Sequence, residues 1–378
     1  MVKPKKICFI SFFSFPVLSQ SISEVVGGAE LQQGILAGEL VKKDYDVCLL
    51  VPDRRQGLYQ LIEGLKLYKS LPEGLTQKKL VNKLYWYPLI PAVVWRRLSL
   101  ADSQIYFQKM VGATSALIAL FCRVKRRKYV HCVASDDEVD GTYIKNRKFP
   151  LSWLTQSAIR NADGIIAQTL HQQRLLKLNF NRDSTVIENM CPIPDSLPPK
   201  EQPPVVLWVG SMRKVKCPEL FLKLATALPE VKFRMIGGAS PWEDPDYFEM
   251  LKQGASNIPN LEFMGFIPYQ EVTHYFATAS ILVNTSDFEG FPNTFLQAWS
   301  RFTPVVSLNV NPDEIISRHG LGCYSQTFDQ MVKDVQSLVH NESLRKEIAE
   351  QSRKYVEQEH STRNIVPRYI DFFEQLLR

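Results

Sequence analysis

Short apolar runs that end in glycine-containing turns recur along the chain, and each is followed by apolar residues at helical spacing. In one such unit, the run at residues 6–11 leads through a double glycine to a helix, and another apolar run follows at Asp46–Val51. A second unit starts with the apolar run Val205–Val209. Strand, glycine turn and helix in succession are typical of parallel sheets covered by helices. The pattern therefore predicts an α/β fold with two doubly wound domains.

The same periodicities predict further elements along the chain. Strands are predicted at 103–106, 128–135, 164–168, 185–187, 231–236, 261–266 and 280–284. Helices are predicted at 111–122, in a segment that ends at 157–162, from the cap residue Thr169 to about Leu178, from 338 through 344 and beyond, and at 369–377. Residues 52–100 show no clean period and are assigned to the first domain as a whole.

A proline-rich stretch divides the chain. Residues 191–204 contain six prolines and cannot hold regular structure, which is typical of a linker. A chain of 378 residues is long enough for two domains of ordinary size. We therefore predict a first domain at 1–190, a linker at 191–204 and a second domain at 205–362.

The stretch 283–304 carries the strongest candidate for a functional site. An apolar strand ends there, Glu289 and Gly290 form a turn, and Pro292 is expected in the first turn of a helix. The N–H groups of residues 291–295 would then converge at the positive end of the helix dipole. The pattern predicts an anion site.

Glu289 is expected to be an isolated carboxylate beside this anion site. A second negative charge would be unfavourable next to a phosphate, whereas a carboxylate accepts hydrogen bonds from the paired hydroxyls of a sugar. We therefore expect phosphate at the helix end and sugar at Glu289. The alternative is an ordinary strand-to-helix junction with a surface glutamate.

The residues EGFPNTFLQA, 289–298, resemble the signature of the retaining glycosyltransferases of glycosyltransferase family 4. The resemblance implies that Glu289 contacts the donor sugar and that the loop after it holds the diphosphate of a nucleotide sugar. The family has a second glutamate where Gln297 stands, and an amide can still hydrogen-bond a ribose there. The donor-binding residues implied in this stretch are Gly290, Phe291, Pro292, Asn293, Thr294 and Gln297.

Three cations follow the strand Val205–Val209, at Arg213, Lys214 and Lys216. Cations before a helix oppose its dipole unless an anion lies between them. The family places an arginine and a lysine here to grip the donor diphosphate. Lys216 matches the lysine, and Arg213 is expected to replace the arginine that many members have where Ser211 stands. The alternative is a set of exposed charges.

The resemblance covers nearly the whole second domain specifically and the first domain only loosely. In the family, two Rossmann-like domains face each other across a cleft, an architecture called GT-B. This implies that Gly27 and Gly28, like Gly210, lie against the donor phosphates, although a tight turn without ligand is an alternative for the first two. It also implies an acceptor-side first domain onto which a C-terminal helix at 363–378 folds back.

Four carboxylates lie within five positions after the strand at 128–135, in the sequence SDDEVDG. They follow one another too closely for the alternating ligands of a calcium loop, so no metal site is predicted. At the carboxyl end of a strand they are expected to line a ligand crevice. Ser135 and Asp136 are therefore predicted on the acceptor side. His131 falls inside the strand and is predicted to be a core residue.

Composition agrees with a soluble globular protein, at 45% hydrophobic and 22% charged residues. No apolar run is long enough to span a membrane, and the first apolar run lacks the cleavage site of a secretory signal. Seven scattered cysteines show no disulfide framework or metal spacing, which indicates reduced thiols in the cytoplasm. The net charge of +6 includes a basic block at 123–128, but no nucleic-acid recognition motif accompanies it.

An aromatic and basic stretch at 84–97 allows two interpretations. Its aromatic side chains and the pair Arg96 and Arg97 could lie on an anionic membrane surface, at the inner face of the cell membrane. The stretch could equally be a packed helix with a solvated basic end.

Taken with these observations, the resemblance implies a retaining glycosyltransferase that uses a UDP or GDP sugar, with Glu289, Arg213 and Lys216 as catalytic residues. Its acceptor would be a saccharide hydroxyl, preferably lipid-linked, in surface polysaccharide synthesis. No cofactor is expected, and two cations make a metal unnecessary. A soluble enzyme with a small or protein acceptor, and a non-catalytic nucleotide-sugar-binding or assembly subunit, are the alternatives. The fingerprint G-x-G-x-x-G is missing, which disfavours hydride transfer.

Overall fold

The structure is a computed structural model that describes residues 5–11, 27–51, 59–69, 90–112, 114–240 and 243–378. The chain divides into two compact units. The first unit contains the described residues up to Asn189 together with Ile365–Arg378, and the second consists of Met190–Asn364. In the described residues each unit is built on one mainly parallel sheet. The prediction of two Rossmann-like α/β domains is confirmed.

Eight strands form the described sheet of the first unit. They are β1 (Lys6–Ile10), β2 (Asp46–Val51), β3 (Tyr59–Ile62), β4 (Leu65–Lys69), β5 (Ile105–Lys109), β6 (Lys128–Cys132), β7 (Gly164–Ala167) and β8 (Thr185–Val186). Their order is β3-β4-β2-β1-β5-β6-β7-β8, and only the pair β3 and β4 is antiparallel in this sheet. The strand order reverses between β1 and β5, where folds of this type bind ligands.

Helices cover both faces of this sheet, as the nearly continuous apolar strands require. They are α1 (Gly28–Val41), α2 (Ile90–Ala101), α3 (Ser115–Lys125), α4 (Thr142–Lys145), α5 (Leu151–Arg160) and α6 (Leu170–Phe180). Strand β5 is buried along its whole length. Thr169 caps α6 by accepting the N–H of Gln172, as its position before the helix predicts.

The second unit contains six strands in the order β11-β10-β9-β12-β13-β14, with all pairs parallel. They are β9 (Val205–Val209), β10 (Lys232–Ile236), β11 (Leu261–Gly265), β12 (Ile281–Asn284), β13 (Val305–Ser307) and β14 (Gly322–Tyr324). Leu207 pairs with Leu282, which aligns β9 with β12. The strand order reverses between β9 and β12, so their carboxyl ends flank the expected ligand crevice.

The remaining helices follow in chain order. They are α7 (Pro218–Ala227), α8 (Pro245–Ser256), α9 (Tyr269–Thr278), α10 (Asn293–Trp299), α11 (Ile315–His319), α12 (Phe328–His340), α13 (Glu342–Glu359) and α14 (Thr362–Leu377). Residues 191–204, the predicted linker, contain no helix or strand apart from a bridge between Cys191 and Ser361. Cys191 is buried among side chains of the second unit, next to Leu296 and Ser300.

The C-terminal helix α14 groups with the first unit from Ile365 onward. Its buried residues Tyr369 and Phe373 meet Phe107 of β5 edge to face, with ring centroids 6.1 and 6.0 Å apart. A Cβ on Gly164 would lie 2.7 Å from the ring of Phe372. Aromatic residues on one face of α14 therefore pack closely on the first sheet.

Two parts of the predicted secondary structure differ from the structure. The helix predicted from 338 through 344 is interrupted, because Asn341 accepts the N–H of Leu344 at 3.0 Å and starts α13 as a new helix. Residues 52–100 contain β3, β4 and α2, which the sequence did not predict individually. Strand β3 is the edge strand of this sheet and β4 lies next to it, and both contain partly exposed residues, so their apolar signal is weaker.

Candidate functional site

Two loops of the second unit meet at the carboxyl ends of β9 and β12. The first connects β9 to α7 through a turn of 3₁₀ helix at Lys214–Lys216, and the second connects β12 to α10. Both leave the sheet where its strand order reverses, which is the position of ligand sites in open α/β sheets. The predicted catalytic residues Lys216 and Glu289 lie in these two loops.

Lys216 and Glu289 form an ion pair across the two loops. The Lys216 Nζ lies 2.7 Å from Glu289 Oε2, and the side chains are 24% and 15% exposed. Glu289 Oε1 accepts hydrogen bonds from Ser286 Oγ at 2.7 Å and Asn284 Nδ2 at 3.0 Å. The prediction that Glu289 is an isolated carboxylate is therefore wrong, because one lysine and two polar side chains hold it in place.

Two opposing effects set the protonation of Glu289. Burial raises the pKa of the carboxyl, whereas the charge of Lys216 and hydrogen bonds from Lys216, Ser286 and Asn284 lower it. The combined effect holds the pKa below its ordinary value of 4.5. Glu289 is thus an anion at neutral pH, with one oxygen facing Lys216 and the other facing neutral donors.

A chain of hydrogen bonds fixes the two loops to each other. The Trp208 indole N–H of β9 donates to Thr285 Oγ1 at 2.9 Å, and Thr285 Oγ1 donates to the Lys216 carbonyl at 2.7 Å. The Asp287 N–H donates to the Val215 carbonyl at 2.9 Å. Thr285 is fully buried, so these contacts are shielded from water. They fix the backbone at Lys216 relative to the loop that carries Glu289.

The three cations of the first loop are placed differently. Lys216 faces Glu289, whereas Lys214 is exposed and its Nζ lies 5.9 Å from the centre of the Tyr247 ring. Arg213 is half-buried and precedes the 3₁₀ turn, and Ser211 is half-buried two residues earlier. Lys214 therefore lies outside the immediate surroundings of the ion pair.

The start of α10 differs from its prediction. The helix begins at Asn293, and Pro292 precedes it as the N-cap residue with φ −66° and ψ 118°. The Phe295 N–H donates to the Pro292 carbonyl at 3.1 Å, so it does not point outward as predicted. Thr294 is half-buried in the first turn. The predicted anion site therefore has fewer free N–H donors than the sequence suggests, because the Phe295 N–H is already used.

Several other residues of the second loop are buried. Gly290, Phe291 and Pro292 are buried, and the Phe291 ring lies 5.1 Å from the ring of His360. Gln297, on α10, is 8% exposed. No described residue hydrogen-bonds with the Gln297 side-chain amide, which leaves its donor and acceptor groups for another molecule.

A close approach of two glycines shapes the first loop. A Cβ on Gly237, after β10, would lie 2.0 Å from the carbonyl oxygen of Gly210. The Gly210 N–H donates to the Ile236 carbonyl at 3.1 Å, and the Met212 N–H donates to the Gly238 carbonyl at 3.0 Å. The packing role of Gly237 depends on a neighbouring strand that sequence spacing does not reveal.

The first unit holds the other predicted site residues. Gly27 and Gly28 are exposed at the start of α1, after β1, and a Cβ on Gly27 would lie 2.2 Å from a Glu30 carboxylate oxygen. Ser135 and Asp136 follow β6 and are half-buried. Asp136 Oδ1 accepts a hydrogen bond from Gln172 at 2.8 Å, and burial raises the pKa of Asp136.

Glu138 does not line a crevice as the acidic cluster was predicted to do. Its side chain is fully buried, with Oε2 accepting the Val111 N–H at 2.8 Å. Its Oε1 accepts the N–H groups of Ala134 and Ser135 at 2.8 and 3.1 Å. Glu138 thus joins the turns after β5 and β6, because backbone donors there lack strand partners.

His131 is a core residue, as predicted. It is fully buried in β6, and burial lowers its pKa to about 4, so it is neutral at physiological pH. Its Nε2 lies 3.5 Å from Glu138 Oε2, and burial raises the pKa of Glu138 to about 7. The pair is enclosed and cannot reach a substrate.

The described part of the aromatic and basic stretch begins at Ile90 and forms α2; residues 84–89 lie outside the described residues. Val94 and Leu98 are buried, and Trp95 meets Phe121 edge to face at 5.1 Å. Arg96 is exposed. This packing corresponds to the interpretation as a packed helix with a solvated basic end.

The structure also gives the state of the cysteines, of metal-type side chains and of long apolar helices. All seven cysteines are unpaired. In the described ranges, no group of three or more metal-type side chains comes together. Within the same residues, no helix combines the length and apolar character needed to cross a bilayer.

Comparison with known protein families places a match in the second unit. Residues 192–355 match the family model described as Glycosyl transferases group 1. The match includes both loops of the candidate site. It stops short of the first unit, so it characterises this part of the chain.

Curated relatives are also glycosyltransferases. An alpha-galactosylglucosyldiacylglycerol synthase of Streptococcus pneumoniae is 27% identical over 45% of this chain, and the match spans 46% of that protein. An uncharacterized glycosyltransferase of Haemophilus influenzae is 23% identical over 86% of this chain and 91% of its own length. The O-antigen chain mannosyltransferase B of Escherichia coli is 26% identical over 37% of this chain and 38% of its own.

Solved structures share the fold over nearly the whole chain. Sucrose-phosphate synthase from Thermosynechococcus elongatus superposes with a TM-score of 0.80 at 15% identity, covering 99% of both chains. HepE from Anabaena, in complex with UDP-glucose, superposes with a TM-score of 0.72 at 16% identity, covering 98% of this chain and 99% of its own. These likenesses show the fold. Together with the match in the second unit, they support a glycosyltransferase of GT-B fold.

Proposed function

We propose that the protein is a retaining glycosyltransferase that moves a sugar from a nucleotide diphosphate to a hydroxyl of a saccharide acceptor. The observation that carries the proposal is the ion pair of Lys216 and Glu289, 2.7 Å apart at the point where the second sheet reverses its strand order. A buried carboxylate and a lysine suit a sugar and a phosphate respectively. The match of residues 192–355 supports the same conclusion.

The donor is a UDP or GDP sugar. Glu289 accepts hydrogen bonds from hydroxyls of the sugar, and Lys216 and Arg213 neutralise the diphosphate. The backbone of residues 290–294 and Gly210 allow close approach of phosphate oxygens. Gln297, whose amide has no described partner, binds the ribose. A complex of HepE with UDP-glucose supports a nucleotide sugar as ligand for this fold.

Charge stabilisation accounts for the reaction. The bond between the anomeric carbon and the diphosphate oxygen breaks, and the acceptor oxygen bonds to the same face of the sugar. The acceptor proton passes to a phosphate oxygen, and the nucleoside diphosphate leaves. Lys216 and Arg213 stabilise the negative charge that develops on the leaving group, while anionic Glu289 holds the sugar. No protein nucleophile, metal or cofactor takes part.

The acceptor is a saccharide, preferably lipid-linked, in the synthesis of a surface polysaccharide. Ser135 and Asp136, which follow β6 of the first unit, provide a hydroxyl and a carboxylate for acceptor hydroxyls. The named relatives include a diacylglycerol glycolipid synthase and an O-antigen mannosyltransferase, which supports this class of acceptor. The reaction takes place in the cytoplasm.

The experiment combines binding and turnover. Thermal unfolding is followed with UDP, GDP, ADP and their sugars, with and without chelator, because a ligand at about a hundred times its Kd adds roughly 2.7 kcal/mol. Release of nucleoside diphosphate is then measured with the sugar that stabilises the protein. NMR of the product tests whether the anomeric configuration is retained. An inverted product, or turnover abolished by the chelator, contradicts the mechanism.

Glu289→Gln is the decisive variant. We expect it to lower turnover about 100-fold or more, since the charge near the reacting sugar is lost. Glu347→Gln, on the exposed side of α13, is the matched control and leaves turnover unchanged. Equal turnover in Glu289→Gln and wild type would refute the role of Glu289.

The second candidate is a non-catalytic subunit that binds a nucleotide sugar. Gln297 replaces the second glutamate of the resembled signature, and Ser211 stands where many members carry arginine. This candidate predicts stabilisation by a nucleotide sugar without product release. Turnover that disappears in Glu289→Gln would exclude it.

A further inference from the structure

We propose that a surface at the start of α5, formed by Lys145, Lys148, Phe149 and Trp153, docks on an anionic lipid bilayer. We call it the 145–153 surface. Its aromatic rings would enter the headgroup region while its lysines contact anionic headgroups.

The aromatic residues of this surface are exposed. Phe149 is 81% exposed and Trp153 is 58% exposed. The buried residues of α5 are Thr155, Ala158 and Ile159, and at 100° per residue Trp153 points away from them. Two large rings four positions apart along the chain therefore contact water instead of the core.

The charge around these rings is positive. No Asp or Glu occurs between Asp140 and Asp163, whereas Lys145, Arg147, Lys148 and Arg160 occur in this interval. Lys145 and Lys148 are exposed, and no described acidic residue forms an ion pair with either. Arg147 differs, because its guanidinium stacks over the Tyr143 ring at 4.0 Å. The two lysines are therefore available to an anionic partner.

A bilayer fits this chemistry better than a protein partner. Aromatic side chains prefer the interface between hydrocarbon and water, and each lysine near an anionic leaflet adds attraction. A protein partner would need acidic groups placed opposite two mobile lysines and a pocket for each ring. The same surface of a second copy could not supply these acidic groups, because it is itself cationic.

The position of the 145–153 surface within the first unit connects docking with the proposed acceptor residues. The Tyr143 hydroxyl donates to the Val111 carbonyl at 3.1 Å, which places α4 near the carboxyl end of β5. Ser135 and Asp136 follow the neighbouring strand β6. A bilayer at the 145–153 surface would bring lipid headgroups to the part of the first unit that carries the proposed acceptor residues. This use rests on the proposed function, whereas docking itself does not.

Flotation with vesicles tests the docking. The full chain, without donor or acceptor, is mixed with phosphatidylcholine vesicles or with vesicles that also contain phosphatidylglycerol. We expect flotation with the anionic vesicles alone, weakened when salt rises from about 0.1 M, because the Debye length then falls below about 10 Å. The double variant Phe149→Ser, Trp153→Ser and the double variant Lys145→Gln, Lys148→Gln should each bind about tenfold more weakly.

Met250→Ser is the matched control, because Met250 is 54% exposed on α8, in the second unit. It should float like the wild type, and all variants should keep the wild-type melting temperature, since exposed positions contribute little stability. Failure to float with anionic vesicles, equal flotation of the double variants, or equal binding to neutral vesicles would overturn the proposal. Self-association that the aromatic double variant abolishes, without vesicle binding, would overturn it in favour of a second copy.

The two proposals fail separately. Turnover with a detergent-dispersed acceptor requires no vesicle, so its absence would contradict the proposed function and leave the flotation result intact. Turnover without flotation would contradict only the docking surface.

Discussion

Lys216 Nζ lies 2.7 Å from Glu289 Oε2, and this contact joins the loop after β9 to the loop after β12. Each side chain is largely buried, so each charge depends on the other for its compensation. A ligand phosphate would compete with Glu289 for the same lysine. The pair therefore links the stability of the empty site to the binding of an anionic ligand.

Lys216→Met should destabilise the protein in a pH-dependent manner. The wild-type pKa of Glu289 lies below 4.5, so its contribution to stability is present above pH 4.5 and is lost at lower pH. Without Lys216, a nearby positive charge no longer offsets burial, so the pKa of Glu289 rises. We expect the variant to lose about 2–3 kcal/mol at pH 7 and less near pH 4.

Urea unfolding between pH 4 and pH 8 measures this difference. Lys346→Met serves as the control, because Lys346 pairs with Glu342 on the exposed side of α13. That variant should follow the wild type at every pH. A gap between Lys216→Met and wild type that stays constant with pH would contradict the proposed coupling.

Gly237→Ala should disturb the candidate site from outside it. The added Cβ would lie 2.0 Å from the Gly210 carbonyl oxygen, so the ends of β9 and β10 must separate. Overpacking of this kind costs about 1–3 kcal/mol. Nucleotide binding, measured by calorimetry, should weaken together with stability.

Gly38→Ala is the control for the glycine variant. A Cβ on Gly38 meets no atom within 4 Å, and alanine in the middle of α1 should stabilise the protein by about 0.5–1 kcal/mol. Nucleotide binding should not change. If Gly237→Ala bound nucleotide as wild type does, the close approach of the two strands would have no role in the site.

Glu138→Gln should loosen the turns after β5 and β6. Glutamine has one carbonyl oxygen, so at least one of the N–H groups of Val111, Ala134 and Ser135 loses its acceptor. The expected loss is about 1–3 kcal/mol in urea unfolding. Asp137→Asn, on the adjacent half-buried residue, should stay within about 0.5 kcal/mol of wild type.

The loss in Glu138→Gln should shrink as pH rises. Burial raises the folded-state pKa of Glu138 to about 7, from 4.5, so its protonated form stabilises the fold at low pH. This contribution is lost as pH rises through 7. A loss that grows between pH 5 and pH 8 would mean that Glu138 is ionised in the folded protein.

Phe373→Ala should weaken the attachment of α14 to the first sheet. Phe373 is fully buried, and its ring meets Phe107 edge to face. Truncation of a buried phenylalanine costs about 3–5 kcal/mol. Hydrogen exchange should then rise in α14 and β5, whereas Leu178→Ala, on the exposed side of α6, should leave exchange unchanged. Rapid exchange confined to the second unit would contradict this packing.

Much of the fold could be predicted because its central strands are continuous apolar runs followed by glycine turns. Val205–Val209 and Asp46–Val51 have the predicted bounds. The interruption at Asn341 was missed because helical spacing continues through it, whereas in the structure the backbone of Asn341 is extended and its side chain accepts the Leu344 N–H. The edge strand β3 and its neighbour β4 gave no clear period because both contain partly exposed residues.

The candidate site was predicted as residue types but not as contacts. The resemblance assigned Lys216 and Glu289 to one donor, yet nothing in the sequence predicts the ion pair that joins their loops. Their meeting depends on the adjacency of β9 and β12 in the sheet. The role of Glu138 was also not predicted. It belongs to a polar cluster in the sequence, yet its side chain is buried and accepts backbone N–H groups that come together only in the folded turns.

The path of the chain through its two units has a consequence for biosynthesis. The polypeptide leaves the first unit after Asn189 and returns to it at Ile365. A nascent chain that has emerged as far as Asn364 can complete the second unit, while the face of Phe107 that packs on Tyr369 and Phe373 is still bare. The usual order, in which the earlier part of a chain folds first, is thus reversed. Maturation of the first unit waits until α14 has left the ribosome.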